Sequence, residues 1–153
     1  MHAEAFSSVE QLSYMLDESD GVVTTLANAS AYLNELLPDI NWVGFYLLEQ
    51  GELRLGPFQG KAACTRIALG KGVCGAAIAQ NRTQRVEDVH AFPGHIACDG
   101  ASNSELVVVL RDALGEPIGV LDIDSPLVGR FSAEDERAME RAAEIISEKI
   151  RQK

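Results

Sequence analysis

The chain has 153 residues, 46% of them hydrophobic and 24% charged, enough apolar material to core one domain over 1–153 and a composition unlike that of a disordered chain. Lys and Arg number 13 against 23 Asp and Glu, a formal net charge of −10, and so acidic a surface repels nucleic-acid phosphates and anionic membranes. The longest uninterrupted apolar run is five residues, Leu106 to Leu110, against about 20 for a bilayer span; the starting MHAEAFSSVEQ has neither the basic start nor the apolar stretch of a secretory signal, so a cytoplasmic location is expected.

In chain order, Val9, Leu12 and Leu16 recur at helical spacing behind Ser7 and Ser8, and Gly21 separates this helix from the next. Val22, Leu26, Ala29, Leu33 and Leu36 form a second apolar stripe that stops at Pro38. The period then changes. Asn41 to Gln50 is aromatic and branched on both faces, as a central strand is, and Gln50-Gly51-Glu52 turns it into a second strand, Leu53 to Phe58. Gly70 to Gly75 leads into a short helix, Ala76 to Gln80, followed by a short strand from Thr83 to Val86. Residues 88 to 103 show no periodicity, and loops of that length inside a compact domain are commonly functional. Ser104 to Arg111 and Pro117 to Asp124 read as an antiparallel pair around Gly115. A last long helix is capped by Ser132 with Asp135 three residues on, and buries Met139, Ala142, Ile146 and Ile150. Helices at both ends of a set of hairpins give an α+β fold with helices packed on one face of an antiparallel sheet.

Strand alternation places candidate groups together. Ile118, Val120, Asp122 and Asp124 share a face. Two carboxylates at i and i+2 on an apolar face repel unless a cation lies between them, whether a metal, an Arg or Lys, or a ligand ammonium; the plain alternative is a solvated strand end. Trp42, Gly44, Tyr46 and Leu48 share another face, where Gly44 leaves a gap for a small ligand or, more commonly, for core packing. Glu105 opens an apolar strand; partial desolvation there would raise its carboxyl's pKa and let it act as an acid near neutral pH, and a solvated strand start is the equal alternative.

The three cysteines sit in unlike settings and form an odd set, which argues against a structural disulfide framework. Cys64 lies in KAACTRI. Cys74 lies at a helix N-terminus, where the dipole lowers a thiol's pKa. Cys98 lies in the long loop with His95 three residues back, a setting that suits a nucleophile. Gly70-x-Gly72-x-x-Gly75 matches a dinucleotide fingerprint but lacks the strand–helix–strand unit around it, and reads as a turn with small-residue packing. Cys64, Cys74, His90, His95 and Cys98 contain no C-x-x-C knuckle and match no common zinc spacing, so no metal is expected.

Together, NWVGFYLL, LGPFQGKAACTRI, GKGVCG, FPGHIACD, SELVVVL and IGVLDIDSP, running in order from about Asn41 to Phe131, resemble the free methionine-(R)-sulfoxide reductases, a family built on a GAF domain. GPFQGKAACTRI and FPGHIACD are the specific parts. The resemblance implies a GAF-like domain with a six-stranded antiparallel sheet, assembled as a homodimer. It implies reduction of free L-methionine-(R)-S-oxide with electrons from thioredoxin and without a cofactor. It implies Cys98 as nucleophile, Cys64 as resolving thiol, and Cys74 as an alternative or secondary partner. Trp42 and Tyr46 would line the methyl-sulfinyl end of the pocket, and Glu105, Asp122 and Asp124 would be its polar residues, with Glu105 as the acid. A non-catalytic GAF module that senses a small ligand or the redox state is the alternative.

Overall fold

The computed structural model describes residues 8–94 and 100–151. Among the described residues, the helices α1 (Leu12–Met15) and α2 (Val22–Leu36) precede β1 (Trp42–Glu49) and β2 (Glu52–Gly60). The next elements are β3 (Arg66–Ala68), α3 (Gly72–Gln80), β4 (Gln84–Val86) and a single 3-10 turn, Val89–Ala91. β5 (Ser104–Arg111), β6 (Pro117–Ser125) and α4 (Ala133–Ile150) complete the chain. The strands form one six-stranded sheet in the order β3-β2-β1-β6-β5-β4, and every neighbouring pair is antiparallel. Among the described residues no helix is long and apolar enough to cross a membrane.

Alternation along the strands separates two apolar layers. Val43, Phe45, Leu106, Val108, Leu110, Leu121 and Ile123 face α1, α2 and α4, and meet Leu12, Leu26, Leu33, Met139 and Ile146. This is the expected helical face. Ser132 and Asp135 make the expected reciprocal cap at the start of α4. Ile118, expected on the Val120 face, packs instead with this layer, close to the point where the β5–β6 ladder shifts between Leu110 and Arg111.

The other face carries Trp42, Tyr46, Val107, Val109 and Val120 under Val73, Cys74, Ala77 and Ile78 of α3. α3 starts four residues earlier than expected, at Gly72 rather than Ala76. The Gly-rich segment is its first turn and serves packing: a Cβ on Gly75 would lie 2.6 Å from the Ala68 carbonyl oxygen.

The β1–β2 hairpin turns through Gln50 and Gly51, both with positive φ (52° and 78°), the backbone that a two-residue hairpin turn needs. A register shift between Gly44 and Tyr46 then sets Gly44 opposite Phe58. The gap expected at Gly44 is therefore filled. A Cβ there would lie 2.2 Å from the Phe58 Cβ, 2.7 Å from its Cα and 2.9 Å from Trp42 Cη2. Gly44→Ala cannot be accommodated without opening the ladder. We expect it to lower stability by about 1–3 kcal/mol, the usual cost of overpacking a core, measured as a drop in the urea-unfolding midpoint at unchanged slope.

Candidate functional site

Register brings the polar candidates onto the face under α3. Glu105 of β5 lies opposite Asp124 of β6, and Val107 lies opposite Asp122. On the other side of β6, Asp122 lies opposite Gly44 and Asp124 opposite Trp42. The strand end does not fray: β6 stays paired through Ser125. Asp122 is only 5% exposed and Glu105 8%, while Asp124 is half-buried. The third residue of α3, Cys74, points its thiol down onto the pair, with Sγ 3.9 Å from Glu105 Oε2. Ligand atoms of Cys74, Glu105 and Asp122 all lie within 4.8 Å of one another.

Three acidic groups in a dry place control one another's protons. Burial, and then the charges of Asp122 and Asp124, push the Glu105 carboxyl well above the ordinary carboxylate range. Burial also raises Asp122, against the opposing effect of hydrogen bonds from Glu105, Cys74 and Asp124. Neither Glu105 nor Asp122 has a basic side-chain partner among the described residues, and Asp122 Oδ1 is buried without a hydrogen bond. The unsatisfied oxygen belongs to the inner member of the i, i+2 pair, Asp122.

Cys74 reverses its expectation. Its thiol is driven well above its ordinary pKa by burial and by Asp122, Glu105 and Asp124. A helix N-terminus alone would lower it, but α3 aims this thiol into three carboxyl groups, and their charges outweigh the dipole. Cys74 is a free, buried thiol. Cys64 is half-buried and engaged in a disulfide. Cys98 and His95 lie outside the described residues.

Trp42 and Tyr46, both 2% exposed, stack with ring centroids 6.0 Å apart, inclined at 23°. Sequence reasoning missed a third ring: Phe58 lies on Trp42 at 5.1 Å and 15°, placed there by the β1 register shift, which no local pattern announces. Both polar tips are occupied. Trp42 Nε1 donates to the Lys61 carbonyl at 3.0 Å, and the Tyr46 hydroxyl donates to the Cys64 carbonyl at 2.8 Å.

A GAF domain family model matches residues 20–151. The free methionine-R-sulfoxide reductase of Escherichia coli is 62% identical over 117 residues, 76% of this chain and 70% of that protein. The structure of fRMsr of Staphylococcus aureus in complex with substrate is 46% identical with a TM-score of 0.90, covering 98% of this chain and 97% of the other. The free methionine-R-sulfoxide reductase of Neisseria meningitidis in complex with its substrate is 40% identical with a TM-score of 0.88, covering 97% and 91%.

Raised carboxyl pKa values fix the sign of a pH effect. The native state keeps protons on Glu105 and Asp122 that the unfolded chain gives up near about pH 4. Their stabilising contribution is complete below that point and is lost as pH rises through the native values. Asp122→Asn removes one competing charge and supplies a donor to Glu105. The variant should therefore gain stability relative to the parent chain between pH 5 and pH 8, by about 1–3 kcal/mol at the upper end. Paired urea-unfolding curves at the two pH values check this, and comparison with the parent cancels the general effect of net charge.

Proposed function

The chain belongs to the GAF-domain family of free methionine-R-sulfoxide reductases, and from that premise we propose that it reduces free L-methionine-(R)-S-oxide to methionine by thiol chemistry. The observation that carries the reading is the buried carboxyl pair of Glu105 and Asp122, without a basic partner among the described residues and with Asp122 Oδ1 unsatisfied. A free amino acid brings an α-ammonium to such a place. A residue inside a polypeptide does not, so a site that takes its ammonium on Asp122 disfavours protein-bound methionine sulfoxide.

The chemistry follows from the groups assembled. Sulfoxide oxygen leaves poorly unless protonated, and Glu105, whose carboxyl is held well above the ordinary carboxylate range by burial and its acidic neighbours, is the acid. The Cys98 thiolate attacks sulfur, the oxygen passes to it with the proton from Glu105, and methionine departs, leaving Cys98 as a sulfenic acid. The Cys64 thiol then attacks that sulfur, and the oxygen leaves as water with the thiol proton as the disulfide forms. Two observations support Cys64 over Cys74 as the partner: Cys64 is disulfide-bonded, and Cys74 is free with its proton held firmly. Asp122 and Asp124 take the ammonium, and the Trp42–Tyr46 surface takes the S-methyl end. We place the enzyme in the cytoplasm as a homodimer of one GAF domain over 1–153, without a cofactor, and with thioredoxin, whose low potential suits reduction of an accessible disulfide, as the reductant.

A coupled assay tests the whole reading: NADPH oxidation through thioredoxin reductase and thioredoxin, with separated epimers of methionine sulfoxide. The R epimer should turn over and the S epimer scarcely at all, because fixing amine and methyl together presents one sulfur face to the thiolate. N-acetylation of the substrate should lower kcat/KM by at least about 10²-fold, since Asp122 and Asp124 lose their cation. Stoichiometric binding of the R epimer without NADPH consumption would instead identify a ligand-sensing GAF module.

Rapid-quench counting separates the cysteines. Cys98→Ser should give no methionine even in one turnover. Cys64→Ser should release about one methionine per site in a burst and then stall with thioredoxin. Cys74→Ser should keep both the burst and most of the steady-state rate, because its thiol stays protonated. A full burst in Cys98→Ser with none in Cys74→Ser would return the nucleophile to Cys74.

A further inference from the structure

The segment between β2 and β3 carries Cys64, which is disulfide-bonded, and its main chain is tied to the sheet at named points. Lys61 and Thr65 are exposed, and Ala63 and Cys64 are half-buried. Three hydrogen bonds from the sheet reach its carbonyls. The Leu55 backbone N–H donates to Thr65 at 3.0 Å, Trp42 Nε1 donates to Lys61 at 3.0 Å, and the Tyr46 hydroxyl donates to Cys64 itself at 2.8 Å. Two of the three donors are aromatic tips four residues apart on one face of β1. Both rings are almost fully buried and braced against each other. A buried ring has little rotational freedom, so its tip is a rigid post for the chain that it holds.

We propose that Tyr46 is a positioning residue for the resolving step, its hydroxyl fixing the main chain of Cys64 so that the thiol stands where the sulfenic acid forms. This rests on the assignment of Cys64 as the resolving thiol. It gives Tyr46 a second task beside lining the pocket: the ring faces the site, and the hydroxyl is spent on Cys64 rather than on substrate. The phenol is a permanent donor there, because burial and the nearby acids keep its proton on well beyond the ordinary tyrosine range. Without the bond, the Cys64 carbonyl loses its anchor, and each encounter of the two sulfurs has to wait for a freer loop. The step itself is unchanged in balance: the Cys64 sulfur bonds to the Cys98 sulfur, the S–O bond breaks, and water leaves.

Tyr46→Phe keeps the ring and removes only the hydroxyl. In single turnovers with methionine-(R)-sulfoxide, the readout is the rate of disulfide formation relative to the methionine burst, since attack by Cys98 precedes any need for Cys64 and a loss in the substrate pocket enters both rates. Relative to the burst, formation of the Cys64 disulfide, followed by acid quench and mass spectrometry, should slow about tenfold, the weight of one buried hydrogen bond of ordinary strength. Sulfenic acid trapped by dimedone should rise in step. Parent-like disulfide formation would overturn the proposal, and so would a burst that slows as much as the disulfide, which is what general loosening of the pocket predicts. The parent enzyme, run alongside, separates the premises. No burst at all would sink the reductase reading, a normal burst followed by a disulfide that omits Cys64 would sink its resolving role, and only a normal parent lets the Tyr46→Phe ratio judge the hydroxyl. Tyr46→Leu, which removes the ring as well, should damage the burst too; a burst as strong as the parent's would show that the ring does not serve the substrate, and leave Tyr46 a positioning residue alone.

Discussion

Two carboxyl groups held out of water next to a thiol, with no basic partner for either among the described residues, constrain everything else on the α3 face of the sheet. Burying an unpaired carboxylate costs several kcal/mol, of order the stability of the whole domain, and that cost raises the pKa of Asp122 and lifts that of Glu105 well above the ordinary carboxylate range. That condition is what an acid catalyst needs. A carboxyl that is protonated at neutral pH donates, whereas one at an ordinary strand end is a bare carboxylate. Dryness, like charge and acid function are therefore one arrangement seen three ways, and moving any member alters the protons on the others.

The opposite face of the sheet makes this tolerable. Val43, Phe45, Leu106, Val108, Leu121 and Ile123 pack against α1, α2 and α4 in a wholly apolar layer. There the strands gain the burial that holds their register. Because side chains alternate, the order β1-β6-β5 that builds this layer also delivers Trp42, Asp122, Asp124 and Glu105 to the far side. The candidate site is carried on the residues between those that fold the sheet, so a substitution at Asp122 or Glu105 alters the acid cluster while the helical layer stays packed.

Period-two and period-3.6 patterns revealed β1, β5, β6 and the long helices, because each has one face that must be apolar. They also revealed that Asp122 and Asp124 share a face, and that Glu105 borders a dry strand. What they missed depends on distance rather than pattern. β3 has only three residues, too few for a period. The start of α3 escapes the pattern because Gly72 and Gly75 look like loop, whereas Gly72 takes a positive φ of 63° and the missing side chain of Gly75 lets the helix press on Ala68. Phe58 follows from a one-residue shift in the β1–β2 ladder. Cys74 failed most instructively. A local rule, thiol at a helix N-terminus, gave a lowered pKa, and the acids that reverse it come from strands more than thirty residues later in the chain.

That reversal sorts the three cysteines. A thiol beside Glu105 and Asp122 cannot easily become a thiolate, since the charge would add to two groups already resisting ionisation. The group that protonates a sulfoxide oxygen and the group that attacks its sulfur need opposite surroundings, one rich in negative charge and one free of it. They cannot share one strand face and one helix turn. The proposed mechanism therefore draws its attacking thiol from elsewhere in the chain. In the proposed mechanism Cys98 fills that place on the long segment before β5, Cys64 waits on a segment tied to Tyr46 outside the acid cluster, and Cys74 stays a proton-bearing wall of the pocket. That mechanism puts the acid on the rigid sheet and leaves the two redox thiols to connecting segments, where successive bond formation asks least of the strands.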